Sequence, residues 1–190
     1  IEKFLPVLST CVLPRVETII CPPLPYLCLM NELSSSSDFC LGGQDCASEA
    51  SGAFTGEVAP KMLKEVGCSH VIIGHSERRK YQGETDEILG AKVKNALNAG
   101  LTPIYCVGET KEERQAGLTE TVVGSQIDAL FLFNEIVEKM QRLGLIIAYE
   151  PVWAIGTGES ATPQQAEVVH AIIKTRVARH SRSVAECVRV

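Results

Sequence analysis

The chain has 190 residues, of which 45% are hydrophobic and 22% charged, a balance typical of one globular domain with a sizeable core, so we expect a single domain over residues 1–190. The net charge of −5 comes without a basic cluster, which disfavours nucleic acid and anionic membrane surfaces as partners. No apolar run reaches about 18 residues and the first residues do not resemble a signal peptide, so we expect a soluble, cytoplasmic protein.

Short β-branched runs, each followed by an amphipathic stretch, predict βα units and a parallel sheet. The predicted strands cover residues 16–21, 39–43, 71–74, 103–107 and 145–149, and a sixth begins at 188–190. The predicted helix starts lie at Thr85, Thr110 and Thr162, where a capping hydroxyl precedes acidic or Gln residues. This order of elements suits either a closed (β/α)₈ barrel or an open doubly wound sheet.

The eight cysteines are scattered and include no CxxC pair. This spacing favours reduced, mostly buried thiols over disulfides. His70 and His75 are five residues apart, which does not place them on one face of a strand, and no cysteine completes a zinc pattern with them. We therefore expect no metal site.

Two predicted strands end on residues that can do chemistry. His75 follows an apolar run and precedes a short helix, and Glu150 closes the apolar run at 145–149. In βα folds, sites gather beyond the carboxyl ends of the strands. A carboxylate at such a point needs a partner, a raised pKa or a substrate, because burial of an unpaired charge is costly.

The segment after Glu150 has the pattern of a lid. Pro151 stands at one end, Gly156 and Gly158 stand near the other, and the residues between them are apolar. Such a loop can cover a ligand while its ends bend, and the glycine amides can approach an anion closely.

Two long segments, IGHSERR at 73–79 and AYEPVWAIGTG at 148–158, resemble the most recognisable segments of the triosephosphate isomerase family. Shorter matches occur in the expected order, and the resemblance covers essentially the whole chain. They are CPP at 21–23, GQD at 43–45, GAFTGE at 52–57 and YCVGE at 105–109. The implied fold is a (β/α)₈ TIM barrel, incomplete here, with five strands and the start of a sixth.

The resemblance implies an isomerase that interconverts dihydroxyacetone phosphate and D-glyceraldehyde 3-phosphate through an enediolate, without metal or organic cofactor. The resemblance implies that Glu150 is the catalytic base and that His75 is the electrophile. In this family the surroundings of these two groups adjust their pKa values to those roles. Glu77 would support the site or handle protons, and the N–H of Gly156 would contact the substrate phosphate.

Two loops also carry implied roles. The lid consists of Pro151, Val152, Trp153, Ala154, Ile155, Gly156, Thr157 and Gly158. The segment that would enter a neighbouring subunit of a homodimer includes Phe54, Thr55, Gly56 and Glu57. Cys106 matches a cysteine near the catalytic glutamate, and we interpret it as packing because proton transfer needs no thiol nucleophile.

A full barrel of this type takes roughly 250 residues, and the family's Asn-x-Lys segment and C-terminal phosphate loops have no match here. We therefore expect the sequence to be part of a longer polypeptide. One alternative is an inactive fragment that acts only through assembly with partner segments. Another is a different phosphate-binding barrel isomerase, which dependence on a divalent ion would indicate.

Overall fold

The computed structural model describes residues 15–34 and 39–190, and its centre is one sheet of five parallel strands. The strands are β1 (Thr18–Ile20), β2 (Phe39–Gly43), β3 (His70–Ile73), β4 (Thr102–Val107) and β5 (Ile146–Tyr149). All five predicted strands are thus confirmed, with small shifts at their ends. The largest difference is in β1, which is shorter than the predicted 16–21.

Helices follow the strands and carry most of the remaining residues. They are α1 (Leu27–Ser34), α2 (Pro60–Glu65), α3 (Ser76–Tyr81), α4 (Asp86–Asn98), α5 (Lys111–Gln115), α6 (Thr119–Ala129), α7 (Val137–Leu143), α8 (Pro163–His180) and α9 (Arg182–Cys187). Short 3₁₀ turns lie at Leu24–Tyr26, Asn134–Ile136 and Val152–Ala154. None of the helices within the described ranges combines the length and apolarity that crossing a membrane would require.

The three predicted helix starts are confirmed by their hydrogen bonds. The Thr85 hydroxyl accepts from the backbone N–H of Ile88 at the start of α4. Thr110 and Thr162 each form a complete capping box, in which the third helical residue returns a bond to the backbone of the cap. Because these bonds satisfy N–H groups that the helix itself leaves unpaired, the local sequence alone sets where α4, α5 and α8 begin.

The strand order decides between the two architectures. The strands pair in the order β1-β2-β3-β4-β5, so each strand lies beside its successor in the sequence. A doubly wound sheet would reverse direction at a switch point. Sequential parallel strands with intervening helices are instead the arrangement of a (β/α)₈ barrel, present here in part.

The predicted start of a sixth strand is also found beside β5. Arg189 forms a parallel bridge with Ile146. The N–H of Ile147 donates to the Arg189 carbonyl at 2.9 Å, and the N–H of Arg189 donates to the carbonyl of Leu145 at 3.1 Å. The chain therefore re-enters the sheet on the far side of β5, as a barrel requires.

The core lies between the sheet and the helices. The apolar face of α4 is fully buried, with Leu89, Val93 and Ala96 at 0% exposure. Val71 and Ile73 of β3 are equally buried. Burial of this kind contributes roughly 25 cal/mol per Å² of apolar surface, so this face of the helix packs toward the sheet.

The cysteines in the described part of the chain are all free thiols. Cys46, Cys68 and Cys106 are buried, as predicted, whereas Cys28 and Cys187 are exposed. The prediction of reduced cysteines agrees with the structure, and the prediction of burial holds for only part of the set.

Candidate active site

His75 lies two residues beyond the end of β3 and caps α3. Gly74 makes the turn out of the strand with φ +79°, a conformation that a residue with a side chain adopts only at a cost. The Nδ1 atom of His75 then accepts a hydrogen bond from the backbone N–H of Glu77 at 3.3 Å. The helix cap therefore fixes the plane of the imidazole ring and leaves Nε2 facing away from the helix.

Arg79 holds the strand end that carries His75. Its guanidinium donates to the carbonyl of Gly74 at 3.0 Å and to the carbonyl of Cys106 at 3.3 Å. It also forms an ion pair with Asp86 at 2.6 Å. One side chain thus connects the carboxyl ends of β3 and β4, where the ladder bonds stop.

Glu150 follows β5 directly, and its backbone N–H continues the ladder by donating to the carbonyl of Val107 at 2.8 Å. Its carboxylate contacts two residues at the start of α3. Oε2 accepts from the backbone N–H of Ser76 at 2.9 Å, and Oε1 lies 3.1 Å from Nε2 of His75. The side chain is 15% exposed, so the carboxylate has the partners that its position after an apolar strand predicted.

The hydrogen bonds around His75 define its tautomer. Nδ1 accepts a bond from an amide and so carries no proton, which leaves the proton on Nε2. The Nε2–H group faces Oε1 of Glu150 at 3.1 Å. A hydrogen-bond donor and a carboxylate that can act as a base therefore lie side by side.

Glycine is required at position 108, a constraint that the sequence did not reveal. A Cβ atom there would lie 1.8 Å from the carbonyl oxygen of Glu150. The side-chain amide of Gln126 brackets the Gly108 backbone, accepting from its N–H at 2.9 Å and donating to its carbonyl at 3.2 Å. Gln126 is on α6, 18 residues away, and carries no signal in the sequence.

Cys106 packs against this site as a thiol. Burial, together with the neighbouring negative charge of Glu150, raises the pKa of Cys106 well above its ordinary range. Nucleophilic cysteines are instead recognised by a lowered pKa. The interpretation of Cys106 as a packing residue agrees with this environment.

A second carboxylate, Glu109, lies two residues beyond β4 and is fully buried. Oε1 accepts from Arg114 at 2.8 Å and from the Thr119 hydroxyl at 3.3 Å. The Tyr149 hydroxyl is 3.1 Å from both carboxylate oxygens. Burial of the Tyr149 hydroxyl raises its pKa, so Tyr149 is present as a hydrogen-bond donor.

The predicted lid is anchored at its first half and exposed at its second. Trp153 is 8% exposed, lies 4.4 Å from the guanidinium carbon of Arg114 and donates from Nε1 to the Tyr149 hydroxyl at 3.4 Å. Gly156 and Gly158 have φ of +73° and +79° and are exposed. The loop therefore has a fixed end and an end whose glycines permit bending.

The Glu77 carboxylate lies on the Nδ1 side of the His75 ring, whereas Glu150 lies on the Nε2 side. The Glu77 carboxylate is 68% exposed and lies 3.7 Å from Nδ1 of His75, a nitrogen that already accepts from the Glu77 backbone. Glu77 and His75 border a cleft of about 300 Å³. Its other lining residues are Gln44, Asp45, Ile72 and Arg78.

The segment predicted to meet another subunit forms an exposed loop. All residues from 51 to 57 are exposed, including Thr55, Gly56 and Glu57. The Phe54 ring is 50% exposed, and the loop is closed by a bond from the N–H of Glu57 to the Phe54 carbonyl at 3.0 Å. An aromatic side chain is thus held outward at the tip.

Comparison with known proteins gives one consistent result. Residues 2–190 match the family model described as triosephosphate isomerase. The triosephosphate isomerase of Alkalilimnicola ehrlichii is 56% identical over 86% of this chain and 64% of its own length. Those of Cupriavidus taiwanensis and Herminiimonas arsenicoxydans are 50% and 49% identical, over 90% and 93% of this chain and 68% and 70% of their own.

The chain thus spans about two thirds of the length of these relatives. Its sequential parallel strands, its His75–Glu150 pair and its glycine-ended loop all lie within the matched region. The chain belongs to the triosephosphate isomerase family.

Proposed function

We propose that the protein is an isomerase that interconverts dihydroxyacetone phosphate and D-glyceraldehyde 3-phosphate by proton transfer, as in glycolysis and gluconeogenesis. The single observation that carries the proposal is the 3.1 Å contact between Nε2 of His75 and Oε1 of Glu150. It brings a base and a hydrogen-bond donor together at the carboxyl ends of β3 and β5. The matched relatives bear the name of this enzyme.

Glu150 is the base in this mechanism. Its carboxylate removes a proton from the carbon next to the substrate carbonyl and returns it to the neighbouring carbon. The hydroxyl proton passes from one substrate oxygen to the other, so that no atom is gained or lost overall. The N–H of Ser76 donates to Oε2 of this carboxylate, and Nε2 of His75 lies 3.1 Å from Oε1. Breaking the contact with His75 frees Oε1 for the substrate while the Ser76 bond can still orient the group.

His75 supplies the electrophile. The Nε2–H that now faces Glu150 would turn to the substrate carbonyl oxygen, where negative charge develops as the enediolate forms. Donors aimed at developing charge commonly contribute about 10²- to 10³-fold in rate. The cap bond from the N–H of Glu77 to Nδ1 keeps the proton on Nε2, the side where the substrate needs it.

Glu77 has a supporting part in this scheme. Its backbone positions His75, and its exposed carboxylate borders the same cleft. We assign it to orientation and to proton exchange with solvent.

The lid would close over the substrate phosphate. Gly156 is exposed, so its N–H could reach an anion once the loop bends at Gly156 and Gly158. Closure would exclude water, which strengthens the electrostatic interactions inside and protects the enediolate from loss of phosphate. The anchored Trp153 would act as the pivot.

We further propose a cytoplasmic homodimer. The exposed Phe54 at the tip of the 52–57 loop supports an interface, because aromatic side chains are enriched in the cores of subunit contacts. Free cysteines throughout the described ranges support a reducing compartment.

The experiment is a coupled assay of isomerisation, which starts from glyceraldehyde 3-phosphate and is run on the purified protein and on His75→Gln. We expect isomerisation without added metal and a loss of about 10²- to 10³-fold in kcat for the variant. His180→Gln is the matched control, since His180 pairs with Asp128 on the helical surface. Absence of isomerase activity in the folded protein would overturn the proposal.

A further inference from the structure

The amino ends of the first three strands bring together a side-chain cluster that the proposed isomerase reaction does not use. Glu17 precedes β1, Cys40 is the second residue of β2, and His70 is the first residue of β3. One carboxylate oxygen, the thiol sulfur and a ring nitrogen all lie within 4.8 Å of one another. Because the strands are parallel, this cluster is at the opposite end of the sheet from His75 and Glu150.

The distances in the cluster are those of metal ligands before a metal binds. Cys40 Sγ is 3.7 Å from Glu17 Oε1, and His70 Nε2 is 3.6 Å from the same oxygen. Tetrahedral zinc with ordinary bonds to sulfur, nitrogen and oxygen places its ligand atoms about 3.3–3.6 Å apart. Both printed distances therefore lie within a few tenths of an ångström of those that a bound ion would set, and the third, between the thiol sulfur and the ring nitrogen, is within 4.8 Å.

His70 is oriented as a metal ligand. It is 4% exposed, and its Nδ1 lies 2.8 Å from the Ser69 hydroxyl. That hydroxyl gives its own proton to the carbonyl of Leu41 at 3.3 Å, so its oxygen accepts the proton of Nδ1–H. The lone pair of Nε2 is then directed at Glu17 and Cys40.

This arrangement leaves Nε2 facing acceptors. A carboxylate oxygen at 3.6 Å cannot donate to it, and the distance exceeds hydrogen-bond range. The ring nitrogen, a carboxylate oxygen and the thiol sulfur thus converge on one point, which is the geometry that a cation with three protein ligands requires.

Arg189 is a further charged group beside the cluster. Its guanidinium pairs with Oε2 of Glu17, which leaves Oε1 available on the side of Cys40 and His70. Carboxylates that bind zinc through one oxygen usually have the other held by a hydrogen bond. The arginine therefore orients Glu17 without occupying the ligand position.

We propose that Glu17, Cys40 and His70 form a binding site for a divalent transition-metal ion, with Zn²⁺ as the occupant. Thiolate and imidazole ligands favour Zn²⁺ over Mg²⁺ or Ca²⁺. Binding converts the Cys40 thiol to the thiolate and releases its proton to solvent. A water molecule or another protein group completes the fourth position.

The expected effect is structural, since the ion would connect the amino ends of three strands. β1 has only three residues, and β2 and β3 pair through only two register positions. A ligand that binds the folded state alone raises its stability as the free concentration exceeds Kd. We therefore expect Tm to rise with added Zn²⁺ while isomerase activity is unchanged.

The test uses the purified protein, Zn²⁺ titrated calorimetrically, and Co²⁺ as a spectroscopic substitute. We expect one equivalent of metal, release of a proton on binding, and a thiolate-to-cobalt charge-transfer band. Cys40→Ser should remove the band and the rise in Tm, whereas Cys187→Ser, which alters an exposed thiol elsewhere, should keep both. Ser69→Ala retains every ligand and should weaken affinity about 10- to 100-fold.

Three results would overturn the proposal: no thiolate band in the wild-type protein, a band that survives in Cys40→Ser, or equal affinity in Ser69→Ala and wild type. Circular dichroism without metal checks that each variant is folded. If Cys40→Ser does not fold, the wild-type cobalt spectrum and the Ser69→Ala affinity decide the matter.

Discussion

Glu109 and Glu150 follow neighbouring strands at the same edge of the sheet, yet their surroundings differ. Glu109 is fully buried and accepts bonds from Arg114, Thr119 and Tyr149. Glu150 keeps 15% exposure and is contacted by the backbone N–H of Ser76 and by Nε2 of His75. The first carboxylate is held by three side-chain donors, including a cation, whereas the second has no arginine or lysine among these contacts.

The difference separates a structural carboxylate from a reactive one. A carboxylate with every lone pair satisfied by a fixed donor is costly to disturb, because its burial depends on those bonds. A base must release its partners during each turnover. We therefore expect loss of Glu109 to affect folding and loss of Glu150 to affect the rate.

The largest effect is expected for Glu150→Gln. The amide keeps the size of the side chain but cannot accept the substrate proton, so kcat should fall about 10²- to 10⁴-fold. Tm should change little, since the amide oxygen can still accept the bond from the backbone N–H of Ser76. Glu138→Gln, at an exposed position in α7, is the matched control, and a large fall in Tm for Glu150→Gln would remove the contrast with Glu109.

Gly108→Ala should come next, because it acts on the backbone of Glu150. The new methyl group would overlap the Glu150 carbonyl oxygen, and a displacement of about 1 Å at a catalytic group can cost about 10²-fold in rate. Overpacking adds a stability loss of about 1–3 kcal/mol. Assay and urea denaturation measure the two effects. Gly124→Ala on α6, which meets only ordinary contacts, should leave kcat unchanged.

Glu109→Gln is expected to lower the free energy of unfolding by about 1–3 kcal/mol, because the buried charge that Arg114 and Tyr149 satisfy is lost. The kcat of the folded variant should stay within about 10-fold of wild type. Urea denaturation measures the first and the coupled assay the second. Glu112→Gln, exposed on α5, should leave both unchanged; a loss of rate without loss of stability would mean that Glu109 has a chemical role.

The smallest effect is expected for Trp153→Phe, which removes the bond to the Tyr149 hydroxyl and weakens the stacking on Arg114. The free energy of unfolding should fall by about 0.5–1.5 kcal/mol, as measured by urea denaturation. Tyr81→Phe, at a side chain that is 68% exposed, is the control. Equal stability of the two variants would mean that Trp153 does not anchor the lid.

Residues whose environment is set locally could be predicted from the sequence. His75 and Glu150 directly follow apolar runs, and Thr110 and Thr162 cap helices within four residues of themselves. The alternation of strands and helices gave the βα pattern. The order of the strands, which identifies the barrel, could not be read from that pattern because it depends on which strands pair.

Contacts between distant elements escaped prediction for the same reason. Gln126 reaches Gly108 across 18 positions, and Tyr149 reaches Glu109 across 40. The contact between Tyr149 and Glu109 depends on the register in which Val107 pairs with Tyr149. The cluster of Glu17, Cys40 and His70 likewise combines residues from three strands, which is why the spacing of cysteines and histidines gave no metal pattern.

The contrast between the two carboxylates is tested most directly by kcat and KM of Glu150→Asp in the coupled isomerase assay. This variant keeps the charge and retracts the carboxylate by about one methylene. If Glu150 is the base, kcat falls by about 10²-fold or more while KM changes little. Near-normal turnover in the folded variant would contradict the assignment of Glu150 and with it the proposed mechanism.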